Sequence, residues 1–140
     1  MDCPLCNPAR ENVVWRDNLC RVILVDDPDH SGYCRVIWHD HVAEMTDLDP
    51  AARRHVMNVV FAVERALRDL LAPAKVNLAS LGNMVPHVHW HVVARFADDK
   101  HFPESIWGRE QRPGQPRPAP APEELAGRIA AELERTSTDI

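Results

Sequence analysis

Three histidines alternate with apolar residues in the segment His87-Val88-His89-Trp90-His91-Val92-Val93. In a β-strand, side chains two positions apart point to the same face, so the three imidazoles are predicted to line one face about 6.5–7 Å apart. An α-helix would instead spread them around its circumference. Imidazole acts as a nucleophile, a general acid or base, or a metal ligand near neutral pH. The row therefore indicates a metal site or a nucleophile with helper residues, and a coincidence of composition is the third alternative.

The same segment resembles a known family at every position. It matches the signature of the histidine triad (HIT) family, in which three histidines alternate with apolar residues. The preceding Gly82-Asn83-Met84-Val85-Pro86 is similar to that family's Gly-Gln/Asn-x-Val-x approach, and Ala94-Arg95 is similar to its Pro-Arg exit, with alanine in place of proline. The resemblance covers roughly residues 1–108. It implies an α+β, HIT-like fold, with an antiparallel sheet of about five strands and a long helix packed on it.

The resemblance also implies a mechanism. HIT hydrolases and transferases attack the α-phosphorus of a nucleotide with the middle histidine, here His89, and water resolves the nucleotidyl-histidine intermediate. A covalent intermediate divides one difficult displacement into two easier ones. His91 would donate to a phosphoryl oxygen or to the leaving group, and His87 completes the predicted catalytic set. The expected substrates are a diadenosine polyphosphate or an adenylyl phosphoramidate, with adenine as the base.

This mechanism needs no catalytic metal, and the family implies a homodimer.

Two other functions remain open from the residues alone. The first is a metallohydrolase in which the three triad histidines bind a catalytic metal, although no carboxylate lies inside the predicted strand. The second is a non-catalytic nucleotide-binding module that keeps the triad as a pocket.

Four further residues are candidate substrate contacts by resemblance. Asp26 follows the second predicted strand, where HIT proteins place an Asp or Asn that accepts from ribose hydroxyls, although the assignment could shift to Asp27. Asn77 and Asn83 are candidate phosphate or ribose contacts, with a strand-edge Asn and a turn Asn as the alternative interpretations. Trp107 lies in a tail that often reaches the pocket in HIT proteins, and packing as an anchor is the alternative.

The N-terminal Cys3-Pro4-Leu5-Cys6 has the spacing of two thiolate ligands on one tetrahedral zinc ion. A thioredoxin-like redox motif would follow a strand, and none is predicted there, whereas free thiols remain an alternative. Resemblance to zinc-binding HIT proteins adds His41 and His87 as ligands of a structural zinc. If His87 is a ligand, it is not free for catalysis.

Composition limits the remaining function classes. With 140 residues, 45% of them hydrophobic, the chain suits one domain of ordinary size. A net charge of −5 gives no general basic surface for nucleic acid. No apolar run is long enough to span a membrane, and residues 1–4 do not begin a signal peptide. We therefore expect a cytoplasmic protein with no nucleic-acid or membrane partner.

Hydrophobic periodicity predicts strands over residues 13–17, 20–25, 33–38 and 76–81 before the triad strand. A long amphipathic helix is predicted after Asp49, a suitable N-cap, and it ends before Pro73. The predicted domain organisation is a HIT domain over residues 1–110, a Pro-rich linker over 111–122, and a C-terminal helix and tail over 123–140. That helix is expected to dock either on the body of the protein or on a second subunit.

Overall fold

A single antiparallel sheet and two α-helices form the fold, and the computed structural model describes residues 3–138. The strands lie in the order β1-β2-β3-β5-β4. The predicted α+β fold, with a five-stranded antiparallel sheet and a long helix packed on it, is confirmed. The elements are β1 (Asn12–Arg16), β2 (Cys20–Leu24), β3 (Tyr33–Trp38), a 3-10 turn (Met45–Asp47), α1 (Pro50–Leu71), β4 (Lys75–Ala79), β5 (His89–Arg95) and α2 (Pro122–Thr138).

Helix α1 begins and ends where its local sequence predicts. The Asp49 side chain accepts a hydrogen bond from the Ala52 backbone N–H at 2.8 Å, which satisfies one of the free donors of the first turn. Ala72 adopts a left-handed conformation with φ of 46° and ends the helix directly before Pro73. The apolar stripe of α1 is buried against the sheet: Val56, Val59, Val60, Ala62, Val63, Ala66 and Leu67.

The strand register divides the sheet into two faces. One face packs on α1 and contributes alternate residues of the inner strands to the core: Cys20, Val22, Leu24, Cys34, Val36, Trp38 and Val92. The opposite face carries His89 and His91 of β5. On β3, Ile37 lies directly opposite His89, and Arg35 lies directly opposite His91. Residues paired in this way share a face, so Arg35 and Ile37 stand beside the histidines.

One prediction about the triad is wrong in part. Strand β5 begins at His89, so His87 precedes the strand and does not continue the row of imidazoles. The next residue, Val88, is tied to a different segment, because its N–H donates to the Val42 carbonyl and its carbonyl accepts from the Trp38 N–H. These two bonds hold residues 87–88 against the chain that follows β3. His87 is therefore positioned by that segment and not by the pleat of β5.

The C-terminal helix α2 packs on α1 and β1 of its own chain. Leu125 and Ile129 are fully buried, and Leu133, one turn further on, is half-buried. The structure therefore shows α2 docked on the body of its own chain, which is one of the two expected surfaces. The division into residues 1–110, 111–122 and 123–140 stays a prediction. No helix among the described residues combines the length and the apolar character needed to cross a membrane.

Candidate active site and metal cluster

His89, the predicted nucleophile, lies at the start of β5 with only 8% of its surface exposed. Its Nδ1 donates to the backbone carbonyl of His87 at 2.6 Å. Because a carbonyl oxygen only accepts, Nδ1 must carry the ring proton. In the neutral imidazole, Nε2 then keeps its lone pair. The contact thus fixes the tautomer in which Nε2 of His89 is available as a nucleophile.

His91 makes a different kind of contact. Its Nδ1 lies 2.7 Å from the hydroxyl of Tyr33, and the Arg35 guanidinium lies 3.3 Å and 3.4 Å from the same oxygen through its Nη2 and Nε. Arginine only donates, so the Tyr33 oxygen accepts from Arg35 and its own proton is free to go to His91. The Nε2–H of neutral His91 can then donate a hydrogen bond to a substrate oxygen.

The protonation states favour this arrangement near neutral pH. Burial, together with the neighbouring His89 and the cationic Arg35, lowers the pKa of His91 to about 4. Burial also raises the pKa of Tyr33, so its hydroxyl keeps its proton. His91 is therefore a neutral hydrogen-bond donor at physiological pH, and the Tyr33 hydroxyl remains protonated beside it.

Trp107 reaches the same histidine. Its ring lies 4.8 Å from the His91 ring, centroid to centroid, in an edge-on arrangement, and 51% of its surface is exposed. The segment after β5 therefore returns across the histidine face of the sheet. Trp107 is the predicted substrate contact that the structure places against a triad histidine.

The other three predicted substrate contacts differ in their surroundings. Asn77 faces the sheet surface that carries the histidines, but its side-chain oxygen accepts from Arg95 at 2.8 Å, which gives it a structural partner. Asn83 is exposed in the loop between β4 and β5. Asp26 lines a cavity of about 600 Å³ between the end of β2 and the Pro-rich segment, and no triad histidine lines that cavity.

A smaller cavity does adjoin the predicted nucleophile. It has a volume of about 240 Å³, and its lining includes His87, His89, Ser80, Gly82 and Met45, the first residue of the 3-10 turn before α1. The Ser80 hydroxyl donates to the His89 carbonyl at 2.8 Å, which anchors the first residue of β5. The smaller cavity adjoins His89, whereas His91 and Trp107 line neither of the two cavities.

His87 faces a cluster of potential metal ligands. Its Nε2 donates to the Trp38 carbonyl at 2.5 Å, so its Nδ1 keeps the lone pair. That Nδ1 lies 3.4 Å from Sγ of Cys3, 3.4 Å from Sγ of Cys6 and 3.3 Å from Nδ1 of His41. The structure thus brings together the four ligands predicted from the sequence: Cys3, Cys6, His41 and His87.

The donor set fits a tetrahedral zinc ion. Metal–ligand distances of about 2.0–2.3 Å give a tetrahedron with edges of about 3.3–3.8 Å, which is the range of the separations around Nδ1 of His87. A metal-bound histidine usually donates its other ring N–H to a carbonyl or carboxylate, as His87 does to Trp38. Both ring nitrogens of His87 are accordingly engaged.

Sequence reasoning missed three residues of this site: Tyr33, Arg35 and Ser80. Tyr33 and Arg35 lie two positions apart in a segment that was correctly predicted as a strand, so their shared face was open to inference. Their proximity to His91 was not, because it depends on β3 lying next to β5 in the sheet. Ser80 carries no recognisable signal.

Fold and site together define an α+β protein that presents two imidazoles on one face of a strand beside a Cys/His cluster. The HIT domain model matches residues 7–98, which is more than half of the sequence. The chain therefore belongs to the HIT family. Membership supports a nucleotide-binding or hydrolase-type function in general.

Solved structures show the same architecture. A histidine triad protein from Bradyrhizobium japonicum is 28% identical in sequence, with a TM-score of 0.64 over 89% of this chain and 90% of that one. A histidine triad protein from Sinorhizobium meliloti 1021 is 25% identical, with a TM-score of 0.68 over 87% and 89%. A zinc-bound HIT family protein from Mycobacterium smegmatis shares the fold at 23% identity, with a TM-score of 0.60 over 97% and 93%. No curated protein matches the sequence.

Proposed function

We propose that the protein is a HIT-type nucleotide hydrolase or nucleotidyl transferase acting at the α-phosphate of a nucleotide conjugate. The single observation that carries this proposal is the 2.6 Å hydrogen bond from Nδ1 of His89 to the His87 carbonyl. It leaves Nε2 of a neutral imidazole as the nucleophilic atom. Candidate substrates are a diadenosine polyphosphate or an adenylyl phosphoramidate, with adenine as the proposed base.

In the first step, Nε2 of His89 forms a bond to the α-phosphorus while the bond from phosphorus to the leaving group breaks. His91, which is neutral, donates a hydrogen bond from its Nε2–H to a phosphoryl oxygen or to the departing atom and keeps the proton. In the second step, the oxygen of a water molecule bonds to the same phosphorus and the water gives up a proton to solvent. The P–N bond breaks, its electron pair returns to Nε2 of His89, and the nucleoside monophosphate leaves. Fixed donors near the phosphoryl oxygens would stabilise the negative charge, and we assign Asn83 and backbone amides to this role.

The remaining substrate contacts belong to the same proposal. Trp107 would cover the bound nucleotide beside His91, since its ring already touches that imidazole. Asp26 would accept from the ribose hydroxyls if the nucleoside extends toward the end of β2. Asn77 is the weakest of the proposed contacts, because its side-chain oxygen already accepts from Arg95.

We assign His87 to the metal cluster and not to the chemical step. Cys3, Cys6, His41 and His87 would hold one structural zinc ion, which would supply no chemistry at phosphorus and would instead fix the N-terminal segment to residues 38–41 and 87. A catalytic metal on the three triad histidines is disfavoured by geometry, since the two ring nitrogens of His87 face Trp38 and the cysteine cluster. Native mass spectrometry should find one zinc per chain in the wild type and in His89→Ala, but none in Cys6→Ser.

The decisive experiment measures turnover of diadenosine tetraphosphate and of an adenosine phosphoramidate by the wild type and by His89→Ala, with EDTA present. We expect activity in the wild type and a loss of several orders of magnitude in the variant. Acid quench of the wild type with radiolabelled substrate should yield nucleotide bound covalently to protein, and His89→Ala should yield none. Nucleotide binding without turnover of either substrate would contradict the proposal and favour a non-catalytic binding module.

A homodimer in the cytoplasm completes the proposed function. Strand β4 is an edge of the sheet and pairs only with β5 among the described residues. The loop after it exposes Leu81 and Met84, the latter to 95%. An unprotected edge beside apolar side chains is a favourable surface for a second copy. Sedimentation equilibrium gives the oligomeric state directly, and a monomer at micromolar concentration would exclude the dimer.

A further inference from the structure

Three arginines on the histidine face of the sheet are wholly or partly withdrawn from solvent, and they differ in how their charge is balanced. Arg21 makes a two-point contact with the Glu11 carboxylate at 2.7 Å and 2.8 Å. Arg95 makes the same kind of contact with Asp99 at 2.9 Å and 3.0 Å. A cation removed from water is normally balanced in this way.

Arg35 is the exception. In the part of the chain that the structure describes, its guanidinium has no carboxylate within salt-bridge distance, and it donates hydrogen bonds only to the neutral Tyr33 hydroxyl. Arg35 also stacks near the Tyr33 ring, with its Cζ 5.3 Å from the centroid. The two long hydrogen bonds to the Tyr33 hydroxyl use two of the five N–H donors of the guanidinium, so most of these donors stay free.

The position of this unbalanced charge is specific. Arg35 lies directly opposite His91 in the β3–β5 register, so it shares the face of the two triad imidazoles. The protein as a whole carries a net charge of −5, so an anion is not attracted by the general surface. A guanidinium presents a planar array of donors that matches the oxygens of a phosphate group.

From this contrast we propose that Arg35 binds a second phosphate group of the substrate, separate from the α-phosphate attacked by His89. The inference rests on the proposed function, because it assumes that a nucleotide occupies the face of the two histidines. Under this proposal Arg35 determines substrate specificity, because the protein would bind a nucleotide with two phosphate groups more tightly than one with a single phosphate group. Two sources share this chemistry, a longer 5′-polyphosphate chain and a phosphate on the ribose.

The experiment is equilibrium binding by calorimetry in a His89→Gln background, which cannot form the covalent intermediate. AMP, ADP and adenosine 3′,5′-bisphosphate are compared on three proteins that carry Arg35, Arg35→Leu or Arg35→Lys. Arg54→Gln is the matched charge control, because Arg54 is exposed on α1, the helix that packs on the opposite face of the sheet. Thermal melts verify that each variant is folded, and Arg35→Lys keeps the charge should the leucine variant fail to fold.

We expect one of the two doubly phosphorylated nucleotides to bind at least about tenfold more tightly than AMP, the effect of one charge-assisted hydrogen bond. Arg35→Leu should abolish this preference, Arg35→Lys should keep part of it, and Arg54→Gln should leave it intact. A preference for ADP identifies the polyphosphate chain, and a preference for the bisphosphate identifies the ribose phosphate.

Two results would overturn the inference. Equal affinity of the Arg35 protein for all three nucleotides, or a preference that survives in Arg35→Leu, excludes Arg35 as a phosphate ligand while leaving the nucleotide site intact. No binding of any nucleotide, AMP included, would instead overturn the proposed function, and the role of Arg35 would fall with it.

Discussion

The backbone carbonyl of His87 accepts the Nδ1 proton of His89 at 2.6 Å, while the side chain of the same His87 points its own Nδ1 at the thiols of Cys3 and Cys6. One residue therefore belongs to both parts of the site. Its side chain joins the cluster of metal ligands, and its main chain sets the tautomer of the predicted nucleophile. Occupation of the cluster and orientation of His89 should be linked through this residue.

Removal of zinc should loosen the His89 imidazole, because His87 is both a proposed zinc ligand and the residue whose carbonyl accepts from His89. The His89 Nδ1 proton is expected to give a protected downfield NMR resonance in the zinc-loaded protein, because its hydrogen bond is short and buried. After chelation we expect this resonance to broaden through exchange and the turnover rate to fall about tenfold. Cys6→Ser should reproduce both effects. An unchanged resonance after complete loss of zinc would show that the two parts of the site are independent.

Tyr33→Phe should slow turnover by acting through His91. The change removes the hydroxyl that lies 2.7 Å from Nδ1 of His91, and one such bond corresponds to about a 10- to 100-fold loss in rate. The test is a double-mutant cycle with His91→Ala, measured as kcat. If Tyr33 acts through His91, adding Tyr33→Phe to His91→Ala costs nothing further. Multiplicative effects of the two changes would mean that Tyr33 acts by another route.

Two adjacent aspartates should differ sharply in their contribution to stability. Asp99 and its partner Arg95 are 4% and 2% exposed, and Asp99 also accepts from the backbone N–H groups of Phe96, His101 and Phe102. Burial by itself would raise the pKa of Asp99, but these donors hold it well below its usual value. Asp99→Asn leaves a buried cation without its counter-ion and should lower the free energy of unfolding by about 3 kcal/mol.

The neighbouring Asp98 is the matched control. It pairs with Arg117 at 2.7 Å, but 47% of its side chain is exposed to solvent. Solvent screens such a pair, so Asp98→Asn should change the urea midpoint much less than Asp99→Asn does. Similar losses in the two variants would show that the contacts around Asp99 do not carry the stability assigned to them.

His91 should make the protein less stable in mild acid. Its folded-state pKa of about 4 lies below the usual histidine value of about 6.5, so between these pH values the unfolded chain binds a proton that the folded protein does not. The free energy of unfolding should therefore fall as the pH drops through this window, on the order of 1–2 kcal/mol from His91 after allowance for solvent screening.

Urea titrations between pH 4 and pH 7.5 measure this pH-dependent loss of stability, with His91→Gln as the comparison. The variant should lose stability less steeply than the wild type between about pH 6.5 and pH 4. Loss of the Asp99 interaction belongs to lower pH, because the pKa of that carboxyl is depressed below its usual value. Parallel stability curves for the two proteins would contradict the assigned pKa of His91.

Local sequence determined a large share of the secondary structure and of the candidate site residues. The alternation in residues 87–93 predicted a strand with an apolar and a histidine face, and His89 and His91 lie as expected. The Asp49 cap and the stop before Pro73 set the limits of α1, since both act within a few residues. The Cys3–Cys6 spacing predicted a ligand pair, and resemblance to zinc-binding HIT proteins supplied the two histidines that the structure places beside it.

Only the tertiary structure determined which residues contact one another in the site. Tyr33 is 58 positions from His91, and Cys3 is 84 positions from His87, so each contact exists only because of the strand order and of the path of the N-terminal segment. A two-residue period fixes which face a side chain occupies within its own strand, but it does not say which strand lies alongside. That choice follows from burying the α1 face of the whole sheet at once. Because of this strand order, Arg35 lies beside His91. His87 lies outside the row of imidazoles and belongs to the Cys/His cluster.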